Sequence, residues 1–228
     1  GAQAAMRGAN LFEKICKILR RILVGLGMAV VPGLTAQGQT ILPDPVAGVE
    51  VEMGSQAGLD AWVEGFRPRA LAAGVQASTF DAAMRGVVFD PKVVERDRNQ
   101  NEFSKTIWDY LDTAVSEDRV ALGLKAIERN RALLERIEAE YGVEKEVVAA
   151  VWGLESAYGT YRGDLPVLGS LATLAYEGRR GAFFEAELIV ALKIVQGGHV
   201  ERFAGSWAGA SGHTQFMPSS WEKFAVDF

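Results

Sequence analysis

The sequence predicts a mainly α-helical protein, and three observations carry that prediction. From about Leu59 onward apolar residues recur three and four positions apart; serine and glycine stand where helices would start and stop; and no run of β-branched residues alternates strictly or repeats at a fixed period. Composition fits a folded chain, with 49% hydrophobic against 23% charged among 228 residues. A net charge of −5 gives no overall pull toward nucleic acid or an anionic membrane face. One cysteine and two histidines, His199 and His213, are too few for a Cys/His zinc site, so zinc chemistry is not expected.

Residues 1–36 read as a leader. Gly1–Ala5 look like a scar ahead of Met6, and a basic stretch with Arg7, Lys14, Lys17, Arg20 and Arg21 leads into an apolar run from Ile22 to Leu34. Small and polar residues (Thr35, Ala36, Gln37, Gly38) follow, the order of a cleaved secretory signal. At 13 residues the run is short of the roughly 20 that span a bilayer. Cys16 would leave with the leader, so the mature chain is expected to rely on its core rather than on disulfides.

Residues 37–58, rich in Gly and Pro and without a period, read as a linker. Beyond it, Leu59, Trp62, Val63 and Phe66 mark one helix and Ser78 opens a second through Phe80, Ala83 and Met84. Ile107, Tyr110, Leu111 and Val115 mark a third. Residues 116–141 are expected to form one long amphipathic helix, capped by Ser116 and stopped by Gly142. Residues 182–195 form another, with Phe183, Phe184, Leu188 and Leu192 facing inward and Glu185 and Glu187 solvated.

Between these two lies the most informative residue. Val148, Val151 and Trp152 define an apolar helix face, and Glu155 follows at seven, four and three positions, on the same face. It also falls near the helix carboxyl end, where the dipole disfavours negative charge. Burial of that face would act in the same direction, favouring the protonated acid that general acid catalysis needs. On spacing alone, a Glu late in a helix is more often a solvent-facing residue or a partner for an arginine such as Arg162 or Arg179. Residues 203–218 mix small residues with Phe203, Trp207 and Phe216, a lining that suits pyranose rings; read alone, they also fit a glycine-rich turn packed by core aromatics.

The string Trp152-Gly153-Leu154-Glu155-Ser156-Ala157-Tyr158-Gly159, followed some fifty residues later by Phe203 to Trp221 (FAGSWAGASGHTQFMPSSW), resembles the lytic murein transglycosylases of the membrane-bound B type, similar in fold to goose-type lysozyme. Arg98 to Phe103 and Trp108 to Leu111 stand in the same order of segments, so the likeness covers about three quarters of the chain. It implies a lysozyme-like α-helical catalytic domain over 59–228, with an additional amino-terminal helical lobe and a truncated carboxyl end, since an acidic calcium-binding loop would begin at Asp227.

By matching position, Glu155 would be the single catalytic carboxylate. Ser206 and Gln215 would orient and line the glycan, Tyr158 and Phe216 would contact it, and Arg179 and Arg180 would face the glycan or its stem peptide. His213 and Thr214 stand where close relatives often carry Tyr and Gly. The implied partner is the glycan strand of peptidoglycan, with other cell-wall enzymes as further partners, for a periplasmic, exported monomer that is open to membrane association.

The implied chemistry is cleavage of the MurNAc-GlcNAc bond without water. A second acid, as ordinary glycosidases require, is not evident: Asp164, Glu177, Glu185 and Glu187 are the weaker candidates. A lysozyme-like hydrolase and a non-catalytic glycan-binding module are the competing readings.

Overall fold

Ser55 starts the first helix, α1 (Gln56–Ala72): its hydroxyl accepts the backbone N–H of Gly58 at 3.1 Å, satisfying one of the donors that a helix start leaves open. The helix thus begins inside the stretch read as linker. The computed structural model describes residues 54–99 and 114–226. The leader, residues 37–53 and the stripe through Ile107, Tyr110 and Leu111 lie outside the described residues.

Five helices share one core. The chain runs from α1 through α2 (Ala77–Ala83) and α3 (Pro91–Asn99), and later returns as α7 (Val167–Glu177) and α8 (Gly181–Gln196). Leu59 and Phe66 of α1, Phe80 of α2 and Val93 of α3 are buried with Leu171 and Leu174 of α7 and with Phe184, Leu188 and Leu192 of α8. Each such large side chain contributes about 1.5–3 kcal/mol by leaving water. The amino-terminal helices expected as an additional lobe therefore pack directly on α7 and α8.

In α8 the inward face is Phe184, Leu188, Ala191, Leu192 and Ile194, while Phe183 is 47% exposed. Neither acid of this helix is simply solvated, contrary to the sequence expectation. Glu185 accepts two hydrogen bonds from the Arg69 guanidinium, at 2.7 and 2.9 Å. Glu187 is buried and accepts the Ser219 N–H at 2.9 Å and its hydroxyl at 2.5 Å, capping the start of α9 (Pro218–Phe224).

The middle of the chain forms a second group of helices. The single helix expected over 116–141 is two, α4 (Glu117–Arg129) and α5 (Arg131–Tyr141). Asn130 leaves helical geometry at φ −114°, ψ 21°, and its side-chain amide joins its own backbone N–H on the Ala126 carbonyl, at 2.8 and 3.1 Å, closing the end of α4. Gly142, left-handed at φ 65°, ends α5 as expected, and α6 (Lys145–Ser156) follows. Contacts join α4, α5 and α6 to one another. A two-stranded antiparallel sheet, β1 (Leu165–Pro166) with β2 (Ala204–Gly205), ties the exit from this group to the glycine-aromatic segment. Among the described residues, no helix is long and apolar enough to cross a membrane.

Candidate active site

The packed side of α6 is the small one. Ala149, Gly153 and Ser156, spaced four and three apart, are buried, whereas Val148, Val151 and Trp152 are half-buried and Glu155 is exposed. The apolar face read from the sequence is thus a wall open to solvent, and the small residues admit a close neighbour on the other side. That neighbour is Tyr158. Its ring meets Trp152 edge-on at 5.6 Å and its hydroxyl donates to the Arg119 carbonyl of α4 at 3.3 Å. A Cβ on Gly123 or Gly153 would lie 2.4 or 2.5 Å from that hydroxyl oxygen, so both glycines are needed for the fit. Tyr158 thereby pins α4 to α6.

To reach that niche the chain reverses immediately after α6, with Ala157 at φ 46° and Tyr158 at φ 58°, left-handed geometry uncommon for non-glycine residues and typical of functional sites. The reversal leaves Glu155 on the last turn of α6. The carboxylate has no hydrogen-bond or ion-pair partner among the described residues. Although the residue's outer surface is open, enclosure by neighbouring atoms removes enough water to raise the carboxyl above its ordinary range. The carboxyl end of the helix dipole acts in the same sense.

The glycine-aromatic segment is clasped to this helix end. The buried Ser156 hydroxyl donates to the His213 carbonyl at 2.7 Å and accepts the Gly159 N–H at 3.0 Å. The Trp152 indole N–H donates to His213 Nδ1 at 2.9 Å. Gln215, itself left-handed at φ 49°, donates its amide to the carbonyls of Arg162 and Gly212, each at 3.0 Å. Its Oε1 is left as an acceptor facing no partner among the described residues. Ser206 accepts the Ala210 N–H at 3.1 Å, so its hydroxyl proton can still be donated elsewhere. Phe216 exchanges backbone hydrogen bonds with Ser211. Spacing did not reveal Trp152, Ser156 and His213 as a clasp, and the one available signal was Ser156 falling seven positions after Ala149 on the small-residue side.

The two arginines are placed differently. At the α7–α8 junction both reach Asp97 of α3, which is 1% exposed: Arg179 Nε donates at 2.7 Å and Arg180 pairs with the second carboxylate oxygen. Burial pushes the Asp97 carboxyl up, but the hydrogen bonds and charges of Arg179 and Arg180 outweigh it and hold it below the ordinary range. Asp97→Asn should therefore lower unfolding stability in urea by about 2–3 kcal/mol, discounted because both arginines remain partly solvated. Asp97 gives its stability above the unfolded carboxyl's pKa, and that share is lost as pH falls through the lower folded one. Among the other acids, Glu177 accepts from Arg98 at 2.9 Å, and no group of three His, Cys, Asp or Glu among the described residues is placed to hold a metal ion.

A desolvated acid on the last turn of a helix whose end is clasped to a loop of small and aromatic residues marks a candidate active site in this mainly helical domain. Residues 58–228 match the family model described as the transglycosylase SLT domain, and the chain belongs to that family. Membrane-bound lytic murein transglycosylase B of Escherichia coli (strain K12) is 34% identical over 122 residues, which are 52% of this chain and 34% of that protein. SltB3 from Pseudomonas aeruginosa in complex with NAG-NAM-pentapeptide is 47% identical over 75% of this chain and 46% of its own, with a TM-score of 0.72. The same values hold for its complex with NAG-anhNAM-pentapeptide. The chain thus spans a third to a half of the length of these relatives.

Proposed function

We propose that the chain is a lytic transglycosylase domain that cleaves the β-1,4 bond between N-acetylmuramic acid and N-acetylglucosamine of peptidoglycan and leaves 1,6-anhydro ends, acting in the periplasm. The single observation that carries this reading is the partnerless, desolvated Glu155 beside the clasped loop. Protonated, Glu155 gives its proton to the glycosidic oxygen as the bond to the anomeric carbon breaks. The substrate's own N-acetyl oxygen stabilises the anomeric centre. The resulting carboxylate takes the proton of the C6 hydroxyl, whose oxygen closes onto the anomeric carbon, so Glu155 ends protonated and no water is consumed. One carboxylate suffices because both the nucleophile and its stabiliser come from the sugar. Gln215 Oε1 and the Ser206 hydroxyl are the free polar groups of the wall that would orient it.

The two complexes of SltB3, with a NAM and an anhNAM peptide, support this choice over hydrolysis for a family member at 47% identity. The test is mass spectrometry of sacculi digested with the purified chain. Products lighter by one water than the corresponding reducing-end sugars are expected, and reducing ends alone would overturn the reading in favour of a lysozyme-like hydrolase.

A further inference from the structure

The clasp between the glycine-aromatic wall and α6 uses a hydrogen bond that exists in only one protonation state of one side chain. The Trp152 indole N–H donates to His213 Nδ1 at 2.9 Å. An indole N–H can only donate, so Nδ1 must present its lone pair, and the neutral imidazole keeps its proton on Nε2. The ring is seated as well as bonded. It meets the indole edge-on at 5.6 Å, and a Cβ on Gly159 would lie 2.4 Å from its Cε1, so the bare face of that glycine is what admits it. Trp152 stands one turn before Glu155 on α6, and His213 two positions before Gln215 on the wall, so this bond fixes the acid's helix against a polar group of the groove. The Ser156 hydroxyl adds a second tie through the His213 carbonyl, which protonation of the ring leaves in place. His213 is exposed, so solvent protons reach it. A proton on Nδ1 sets two donors against each other, and the attraction becomes a repulsion. The titratable and charged groups around the ring are Glu155 and Tyr158, on either side of Trp152 along the chain, and Arg162 and Arg202, which line the space that His213 borders.

We propose that His213 is a positioning residue of the reaction: its neutral form holds Gln215 and the sugar wall at working distance from Glu155, and proton uptake by the ring loosens that hold. This rests on the transglycosylase reading and adds to it an acid-side limit, opposite in direction to the loss that ionisation of Glu155 sets.

Two measurements test it. By NMR of the isotope-labelled wild-type chain without substrate, the Trp152 indole N–H resonance, identified by its loss in Trp152→Phe, should shift in step with titration of the His213 ring. In turnover, release of anhydro products from sacculi should fall on the acid side of neutrality, where imidazoles take up protons. His213→Ala should lower kcat about tenfold with little change in KM, the scale of one lost hydrogen bond. His213→Asn places Oδ1 where Nδ1 stands, an acceptor that does not titrate, and should recover most of that rate while losing the acid-side fall. An indole resonance indifferent to the titration of His213, or an acid-side fall that survives unchanged in His213→Asn, overturns the proposal. Failure of the transglycosylase reading itself shows separately, as absence of anhydro products from the wild-type chain at every pH.

Discussion

Glu155→Gln should abolish release of anhydro products from sacculi, with kcat falling by about three orders of magnitude or more, while the fold stays intact. The size follows from what a positioned general acid contributes, about 10²–10⁴-fold, applied here to both halves of the reaction, since the same oxygen gives and later retrieves the proton. The isosteric amide can do neither. Stability should move by no more than about 0.5 kcal/mol, because the carboxylate has no partner to orphan among the described residues.

The pH dependence has a definite sign. Desolvation raises the folded-state pKa, so the active protonated form persists to higher pH than for a free glutamate and activity declines as pH climbs through the raised value. The stability contribution runs the same way: it is fully present below the unfolded pKa and fades as pH rises through the folded one. In Glu155→Gln that fading should vanish from a pH series of urea melts. A wild-type activity limb at the ordinary glutamate value would remove the physical basis for the acid's role.

Glu155 itself was legible because its signal is local: three apolar neighbours at helical spacing and a position late in the helix are all visible within eight residues. The side on which α6 packs was not, because the partner that fills the Gly153 notch, Tyr158, reaches it only where two left-handed residues, Ala157 and Tyr158 itself, fold the chain back. Glu187 reads as solvated for the same reason; its partner Ser219 is 32 residues away and belongs to a helix too short to have a periodic signature. Residues 116–141 keep an amphipathic pattern across a real break, since Asn130 turns the backbone out of helical geometry without interrupting the apolar spacing. Arg179 and Arg180 were found as a pair by resemblance, but their common anchor Asp97 lies some eighty residues earlier, where sequence distance hides it.

Gly163→Ala should be the most damaging change outside the acid itself. Gly163 is left-handed at φ 81°, and a Cβ there would sit 2.2 Å from the backbone carbon and oxygen of Gly205, so the atoms that must yield are main chain on both sides. Left-handed geometry alone costs a non-glycine residue about 1–2 kcal/mol, and parting the β1–β2 pair brings the expected loss to about 3 kcal/mol in a denaturant melt. Activity should suffer beyond stability. Gly163 adjoins the Arg162 carbonyl that Gln215 grips, and Gly205 precedes Ser206, so spreading the two strands moves the sugar wall relative to Glu155. A displacement of about 1 Å in such a site can cost about 10²-fold in rate.

Gly65→Ala is the matched control. It lies on the exposed side of α1 with nothing within 4 Å of the added Cβ, and should raise stability by about 0.5–1 kcal/mol with turnover unchanged. If Gly163→Ala melted with the wild type and kept its kcat, the small sheet would not be what holds the wall against the acid, and the clasp through Ser156, Trp152 and His213 would have to hold it alone.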